Sequence, residues 1–344
     1  MNCIRMASNE NPFGPSPKAV QAIQAALSRC HFYPDNEARL LRQKLAERFR
    51  VAPEQVLVAA GLSSLLGITC RTLLKPGLNA VTSQRSFIVY PIATKAAGGE
   101  IIEAPMKDDG FDLDAIVAAI TPETRLVFLA NPNNPTGTLF DAEALDRFLA
   151  GVPEHVIVMI DEAYYEFAQY FAGQRAIEYS HSLDYVRQGR KVVVLRTFSK
   201  AHGLAGLRVG YGIGPAELMA DFGRMQTMFS VSVLAQAGAL AALDDDAQIE
   251  LTVRNNAAGA EFLLKELSGL GYRVIPTWAN FVYCEVREGA STVARRMQAE
   301  GILIRALGAW GAPTAIRVTI GTPEQNQRFL ATFKTIMARS RSRV

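Results

Sequence analysis

The alternation of short apolar runs with amphipathic stretches constrains the fold of this chain more than any other feature of its sequence. The runs are rich in β-branched residues, and the stretches between them, such as 64–74, 112–120 and 141–149, have helical periodicity. Strands that are apolar on both faces and alternate with helices indicate an α/β fold with a mainly parallel sheet covered on both faces. The predicted strands of this sheet are residues 56–59, 80–82, 100–104, 125–130, 155–160, 191–196 and 207–213.

The pattern changes after about residue 245, where long helical stretches flank only a few strands. We expect helices over 247–270, 291–300 and 323–339, and strands over 272–275, 280–286, 303–305 and 316–320. This pattern predicts a smaller α+β domain. The predicted division is therefore a large domain of residues 30–245, and a second unit that joins the N-terminal arm and helix, residues 1–29, to residues 246–344.

Composition excludes several classes of protein. Hydrophobic residues make up 49% of the 344, and Lys plus Arg (36) nearly balance Asp plus Glu (33), which is typical of a globular protein without a nucleic-acid or membrane-surface partner. The four cysteines lie far apart and lack metal-ligand spacing, so we predict no metal site and a reducing compartment. No apolar run reaches the length of a signal-peptide core or a membrane span, which indicates a cytoplasmic protein.

Polar residues that follow the predicted strands are the candidates for chemistry, because open parallel sheets bind ligands beyond the carboxyl ends of their strands. Gly61, Leu62 and Ser63 follow the first strand and open a helix. Free backbone N–H groups at a helix start bind phosphate, although a serine there is more often only an N-cap. The turn at residues 131–137, NPNNPTG, is rigid and could also fix an Asn carboxamide in place.

A carboxylate and a lysine follow two further strands. Asp161 comes after an apolar run, so it is costly to bury without a cationic partner, and its alternative role is to cap the next helix. Lys200 follows the strand 191–196, together with Thr197, Ser199 and Arg208. These groups suit an anionic aromatic cofactor with a phosphate arm. The amine can form a Schiff base, the carboxylate can pair with a pyridinium nitrogen, and the hydroxyls and the arginine can bind the phosphate.

At these residues the chain resembles the pyridoxal-phosphate enzymes of the aspartate-aminotransferase superfamily, fold type I, and among them most the histidinol-phosphate aminotransferases. The resemblance rests on motifs in the same order along nearly the whole chain: SNENPFGPSP from Ser8, FYPD from Phe32, NPNNPTG, DEAY, TFSKAHGLAGLRVGY and IRVTIGT from Ile316. It implies transamination in histidine biosynthesis, with pyridoxal 5′-phosphate as the cofactor.

The resemblance also implies a role for each matching residue. Lys200 carries the cofactor and moves the proton, Asp161 pairs with the pyridine nitrogen, and Asn134 and Tyr164 hold the phenolic oxygen. The residues implied for the phosphate are Gly61, Leu62, Ser63, Thr197, Ser199 and Arg208. Phe87 falls at the position that stacks on the ring, where the family usually has Tyr. Tyr33 matches an aromatic residue that reaches the neighbouring subunit's cofactor, which implies a homodimer.

Three residues are implied for the substrate. Arg317 matches the arginine that binds an α-carboxylate with two parallel hydrogen bonds, and Arg305 matches the position that meets the phosphate of histidinol phosphate. Asn11, in the first motif, is expected at the same site. For Arg305, a surface or interdomain salt bridge is the alternative.

Three other functions remain open from the sequence. A threonine-phosphate decarboxylase has the same fold and a phosphorylated substrate, but it releases CO₂. An aromatic or other biosynthetic aminotransferase could reuse the phosphate site. A non-catalytic regulatory domain that binds the cofactor ranks last, because the sequence has no DNA-binding motif.

Overall fold

A computed structural model describes residues 3–286 and 288–341. Its strands, in chain order, are β1 (Ile4–Arg5), β2 (Val56–Ala59), β3 (Asn79–Ser83), β4 (Glu100–Ala104), β5 (Met106–Lys107), β6 (Gly110–Phe111), β7 (Thr124–Ala130), β8 (Ile157–Asp161), β9 (Val192–Thr197), β10 (Gly210–Ile213), β11 (Arg273–Ile275), β12 (Phe281–Glu285), β13 (Ile302–Leu303), β14 (Arg305–Ala306) and β15 (Ala315–Thr319). Its helices are α1 (Pro17–Ala26), α2 (Arg39–Phe49), α3 (Leu62–Leu73), α4 (Val89–Ala96), α5 (Leu113–Ala118), α6 (Ala142–Gly151), α7 (Tyr165–Arg175), α8 (Ser182–Arg187), α9 (Ala216–Arg224), α10 (Val233–Ala242), α11 (Asp246–Gly269), α12 (Ala290–Ala299) and α13 (Pro323–Arg341).

The large sheet has seven strands in the order β2-β10-β9-β8-β7-β3-β4. All neighbours are parallel except β10, which runs antiparallel to both β2 and β9. The prediction of a mainly parallel sheet is confirmed. The strand predicted over 207–213 begins only at Gly210, because residues 205–207 form a 3₁₀ turn and Arg208 has a left-handed φ of 55°.

Helices cover both faces of this sheet, since its central strands are apolar on both sides. The face that carries Val127, Val158 and Val194 packs against α1, α2, α5, α6, α8 and α10. The opposite face, with Phe128 and Met159, packs against α3, α4 and α9. Because helices bury both faces of the sheet, the polar residues lie at the carboxyl ends of its parallel strands.

Side-chain caps define where several helices begin. Ser16, Asp112, Asp141 and Ser232 each accept a hydrogen bond from the backbone N–H three residues later, at 2.8 to 3.2 Å. These residues satisfy amide groups that a helix start leaves unpaired. By contrast, α3 has Gly61 as its N-cap, so neither serine of the GLSS sequence caps it.

The second domain contains a four-stranded antiparallel sheet in the order β11-β12-β15-β14, packed against α11, α12 and α13. One predicted strand, 303–305, is divided in two. Ile302–Leu303 pairs in parallel with β1, whereas Arg305–Ala306 pairs with β15. The division brings the N-terminal strand and the last strand of the chain to either side of residues 302–306.

The N-terminal 29 residues contact both domains. Ile4 and Met6 pack in the core of the second domain. Helix α1, however, packs on α10, and its Ala19 lies in the core of the large domain. The apolar side of α1 thus covers the large sheet, and the first residues of the chain connect the two domains.

No described helix is long and apolar enough to cross a bilayer. Among the same residues, no three His, Cys, Asp or Glu side chains lie together as metal ligands would.

Candidate active site

A cleft of about 340 Å³ opens at the carboxyl ends of β7, β8 and β9, next to β14 and β15 of the second domain. Most of the residues predicted for a site line it: Leu62, Ser63, Phe87, Asn134, Asp161, Tyr164, Thr197, Ser199, Lys200, Arg208, Arg305 and Arg317. The parallel strands bring these residues together from widely separated parts of the sequence, as their positions after strand ends predicted.

Lys200 follows β9 by three residues and reaches into the cleft. Its Nζ donates a hydrogen bond to the Ser8 carbonyl at 3.0 Å. Burial, with a smaller contribution from the nearby Arg317 guanidinium, lowers the pKa of Lys200 to about 7. A large fraction of this amine is therefore uncharged and nucleophilic at neutral pH.

Asp161 is the last residue of β8 and is buried at the bottom of the cleft. Its Oδ2 accepts a hydrogen bond from the Tyr90 hydroxyl at 2.9 Å, and its Oδ1 accepts one from the Ala163 N–H at 3.1 Å. Helix α7 begins only at Tyr165, so Asp161 is not its N-cap. Burial raises the pKa of Asp161 to about 6, and in the described part of the chain no cation forms an ion pair with it.

An anion-binding corner lies where α3 begins. Gly61 has a φ of 82°, and a Cβ there would lie 2.5 Å from Nη2 of Arg208. The positive φ favours glycine, and the missing Cβ leaves room for this guanidinium beside the start of α3. Nη1 of Arg208 also lies 3.4 Å from Oγ of Ser199. The guanidinium, the hydroxyls and the helix terminus together suit a phosphate group.

The Tyr164 hydroxyl accepts a hydrogen bond from Nδ2 of Asn9 at 2.8 Å. Asn9 is itself held by Thr319, whose Oγ1 accepts from the Asn9 N–H at 2.9 Å. Burial raises the pKa of Tyr164, so the phenol stays protonated and can donate a hydrogen bond into the cleft. On the same wall, the side-chain oxygen Oδ1 of Asn134 accepts a hydrogen bond from Nη1 of Arg317.

Two arginines stand side by side on neighbouring strands, because Arg305 of β14 is directly opposite Arg317 of β15. Arg317 is buried and donates from Nη2 to the Ala7 carbonyl at 2.9 Å, while its Nε has no partner among the described residues. Burial, with some contribution from Arg305, lowers the pKa of Arg317 to about 10.

Arg305 is exposed at the mouth of the cleft. Its Nε lies 3.4 Å from the same Ala7 carbonyl. Within the described residues no carboxylate pairs with it, so the salt-bridge alternative is not what the structure contains. Two guanidiniums without a carboxylate partner form a site for an anion that comes from solution.

Asn11 does not line the cleft, contrary to the prediction. Its Nδ2 donates to the Ala201 carbonyl at 2.8 Å and to the Thr252 hydroxyl at 3.1 Å, and its Oδ1 accepts from the Phe13 N–H at 3.0 Å. With its hydrogen-bonding groups occupied, Asn11 holds the N-terminal segment in place. Asn9, two residues earlier in the same motif, is the asparagine that lines the cleft.

Tyr33 also lies outside the cleft of its own chain. Its side chain is 81% exposed and stacks on Phe229, with ring centroids 4.6 Å apart. The two aromatic residues of the FYPD motif therefore lie on the surface of the chain.

Several lining residues were not predicted. Ser8, Asn9 and Trp310 line the cleft, and Tyr90 lies directly behind Asp161. Ser8 and Asn9 belong to the quoted SNENP motif, from which only Asn11 had been selected. No feature of the sequence marks Tyr90 as part of the site, because it lies inside a helix, in a segment without a motif.

Comparison with known proteins agrees with this arrangement. The model for "aminotransferase class I and II" matches residues 1–333. A histidinol-phosphate aminotransferase of Moorella thermoacetica is 42% identical over 97% of this chain and 86% of its own length. A histidinol-phosphate aminotransferase 2 of Pseudomonas aeruginosa is 44% identical over 97% of this chain and 89% of its own. The crystal structure of a histidinol-phosphate aminotransferase from Sinorhizobium meliloti in complex with pyridoxal-5'-phosphate matches with a TM-score of 0.89 and 28% identity, covering 97% of this chain and 91% of that one.

Proposed function

The chain belongs to the class I and II aminotransferases, and from this premise we propose that it transfers the amino group of histidinol phosphate to 2-oxoglutarate. The products are imidazole acetol phosphate and glutamate, a step of histidine biosynthesis. A cytoplasmic location suits this role, and Cys3, Cys30, Cys70 and Cys284 are all free thiols.

The cleft fits pyridoxal 5′-phosphate, the cofactor of this family. When bound, this group supplies a carbonyl to which amines attach and a ring that accepts electrons. The amine of Lys200 would hold the cofactor by its carbonyl carbon, and Asp161 would pair with its ring nitrogen. The anion-binding corner around Arg208 would bind its phosphate. The buried carboxylate that lacks a cation, and the glycine that admits Arg208, are the observations that support this fit.

The residues around the amine have separate tasks. Lys200 is uncharged in a large fraction of molecules at neutral pH, so its Nζ can accept the proton from the donor carbon that bears the amino group. Asp161, when ionised, favours the protonated form of a ring nitrogen beside it. Tyr164 and Asn134, which line the same cleft, would hold the phenolic oxygen of the bound cofactor, and Phe87 would pack on its ring.

The neighbouring arginines Arg305 and Arg317 would determine which substrate binds. Arg317 is buried beside Phe281 and Trp310, and suits a carboxylate such as that of 2-oxoglutarate. Arg305 adds a second guanidinium at the cleft mouth, as a substrate phosphate requires. Histidinol phosphate has no carboxylate, so the two arginines would serve its phosphate in one half-reaction and the 2-oxo acid in the other.

A panel of amino donors tests this proposal. The loaded protein is mixed with histidinol phosphate, O-phosphothreonine, phenylalanine or alanine, and both the conversion of the cofactor absorbance to its amine form and the release of CO₂ are recorded. We expect the fastest conversion with histidinol phosphate and no CO₂ from any donor. CO₂ from O-phosphothreonine would instead identify a decarboxylase, and faster conversion with phenylalanine would identify an aromatic aminotransferase.

The Arg305→Ala variant should lose specificity for the phosphate. Hydrogen bonds to a charged group contribute about 1.5–3 kcal/mol. We therefore expect kcat/KM for histidinol phosphate to fall about 10- to 100-fold, and that for alanine to change about twofold or less. The control is Arg295→Ala, which removes an exposed arginine from the surface of α12. Equal losses for both donors would show that Arg305 is structural.

We propose that the protein acts as a homodimer in which Tyr33 completes the site of the partner subunit. Tyr33 does not line its own cleft, and it lies among exposed apolar side chains: Phe32, next to it in the chain, is 64% exposed, and Phe229, on which its ring stacks, is 36% exposed. An exposed apolar group of this size is typical of a protein–protein interface.

Mixed subunits test this role of Tyr33. Lys200→Ala and Tyr33→Ala homodimers should each be nearly inactive, but a heterodimer would contain one site with both residues intact. Random exchange should therefore restore roughly a quarter of the wild-type activity per subunit. Subunit exchange is confirmed separately with two affinity tags. If exchange occurs and activity does not return, the two residues act in the same subunit.

A further inference from the structure

A buried tyrosine stands directly behind the carboxylate of the site. Tyr90 of α4 is 0% exposed, and its hydroxyl donates to Oδ2 of Asp161 at 2.9 Å. Tyr90 does not line the cleft, so it can reach a bound molecule only through Asp161. No step of the proposed reaction uses this tyrosine.

Aromatic packing leaves the Tyr90 hydroxyl little freedom. Its ring stacks on Phe128 of β7, with centroids 4.9 Å apart and planes 4° from parallel. On another side it meets the edge of Phe87, with centroids 5.6 Å apart and planes at 87°. The Tyr90 N–H also bonds the Phe87 carbonyl at 3.0 Å. A single turn of the chain thus supplies both the aromatic residue of the cleft and the hydroxyl behind the carboxylate.

The second oxygen of Asp161 is also held, since Oδ1 accepts the Ala163 N–H. The two hydrogen bonds come from different elements, so they fix the rotation of the carboxyl group as well as its position. A carboxylate that receives such bonds is favoured in its charged form, against the cost of burial. Lys200 also favours the charged form, whereas Glu162 opposes it. The Tyr164 phenol interacts electrostatically with both Asp161 and Tyr90, and burial raises its pKa, so it stays protonated.

We propose that Tyr90 is a positioning residue that fixes the orientation of the Asp161 carboxylate and keeps it ionised for the ring nitrogen of the cofactor. This inference rests on the proposed function, because it assumes that pyridoxal phosphate binds against Asp161. Tyr90 lies outside the cleft, and its contribution to cofactor binding should depend on pH.

The Tyr90→Phe variant tests the proposal, because phenylalanine removes one oxygen and keeps the ring contacts. Cofactor affinity is measured by titrating the apoprotein with pyridoxal phosphate between pH 5 and 9, with absorbance as the signal. We expect affinity at pH 7 to fall about 10-fold. Without the hydroxyl, the pKa of Asp161 rises, so the pH below which binding weakens should shift upward.

Tyr185→Phe is the matched control. The Tyr185 hydroxyl also donates to an aspartate, Asp146, on the opposite face of the sheet and outside the cleft. We expect this variant to bind the cofactor like the wild type. Equal effects of the two variants, or an unchanged pH dependence in Tyr90→Phe, would overturn the proposal.

A double-mutant comparison makes the test independent of general effects on the fold. If Tyr90 acts through Asp161, adding Tyr90→Phe to an Asp161→Asn protein should change cofactor affinity by less than about threefold. A full 10-fold effect in that background would show that Tyr90 acts by another route. Failure of the wild-type protein to bind pyridoxal phosphate at all would overturn the proposed function, and this inference with it.

Discussion

Replacement of Lys200 by alanine should abolish transamination. The variant loses the amine that attaches the cofactor and the base that moves the donor proton, so two steps fail together. We expect no measurable turnover above background with histidinol phosphate. Borohydride reduction of the loaded wild-type protein should fix the cofactor to a single peptide containing Lys200, and mass spectrometry identifies that peptide.

The pH dependence of attachment gives a second check on Lys200. Because burial lowers its pKa to about 7, the rate at which the apoprotein captures pyridoxal phosphate should rise with pH and level off above about 8. An ordinary lysine would continue to gain reactivity up to about pH 10. Lys191→Ala, an exposed lysine just before β9, serves as the control and should bind normally. Label on another lysine would contradict the assignment.

The Asp161→Asn variant should lose activity by several orders of magnitude while it remains folded. Asparagine keeps one oxygen that can accept the Ala163 N–H, and its NH2 group can donate to the Tyr90 hydroxyl oxygen. It is neutral, however, and no longer favours a protonated ring nitrogen. Turnover with histidinol phosphate and the thermal unfolding temperature are both measured, which separates a loss of catalysis from a loss of stability. Near-normal activity would mean that Asp161 only organises the turn after β8.

Asp146→Asn provides the matched control for this variant. Asp146 also accepts a tyrosine hydroxyl, that of Tyr185, but it lies outside the cleft. The same change of carboxylate to amide should leave turnover within about twofold of the wild type, because surface substitutions seldom change stability by more than about 0.5 kcal/mol.

The sheet was predictable because its strands are apolar on both faces and each strand ends at a turn that the sequence marks. The bounds of β2 and β4 agree with the sequence-based ranges, and β7 to β9 agree to within two residues. The antiparallel direction of β10 was not predictable, since strand direction depends on which neighbours pair and not on periodicity. The division of residues 302–306 into two strands depends on pairing with β1, about 300 residues earlier in the chain.

The cleft residues were predictable where a strand end and a motif coincide. Asp161 ends β8 and Lys200 follows β9 by three residues, so topology brings both to one edge of the sheet. Arg208 reaches the same cleft from the turn before β10. Asn11 and Asn9 could not be told apart, because both lie in an irregular segment whose hydrogen bonds form only in the folded protein. Tyr90 was hidden for a similar reason, since a tyrosine within an apolar helix reads as core.

The site depends on contacts between the two ends of the chain. Arg317 donates to the carbonyl of Ala7, 310 residues earlier, and Thr319 accepts from the Asn9 N–H across the same separation. A ribosome makes about 5–20 residues per second, so Arg317 is added roughly 15–60 s after Ala7. During that interval Ile4 to Asn9 lack their partners in the second domain. The cleft can therefore be completed only after β15 has been made, and a nascent chain that stalls before β15 would have no finished site.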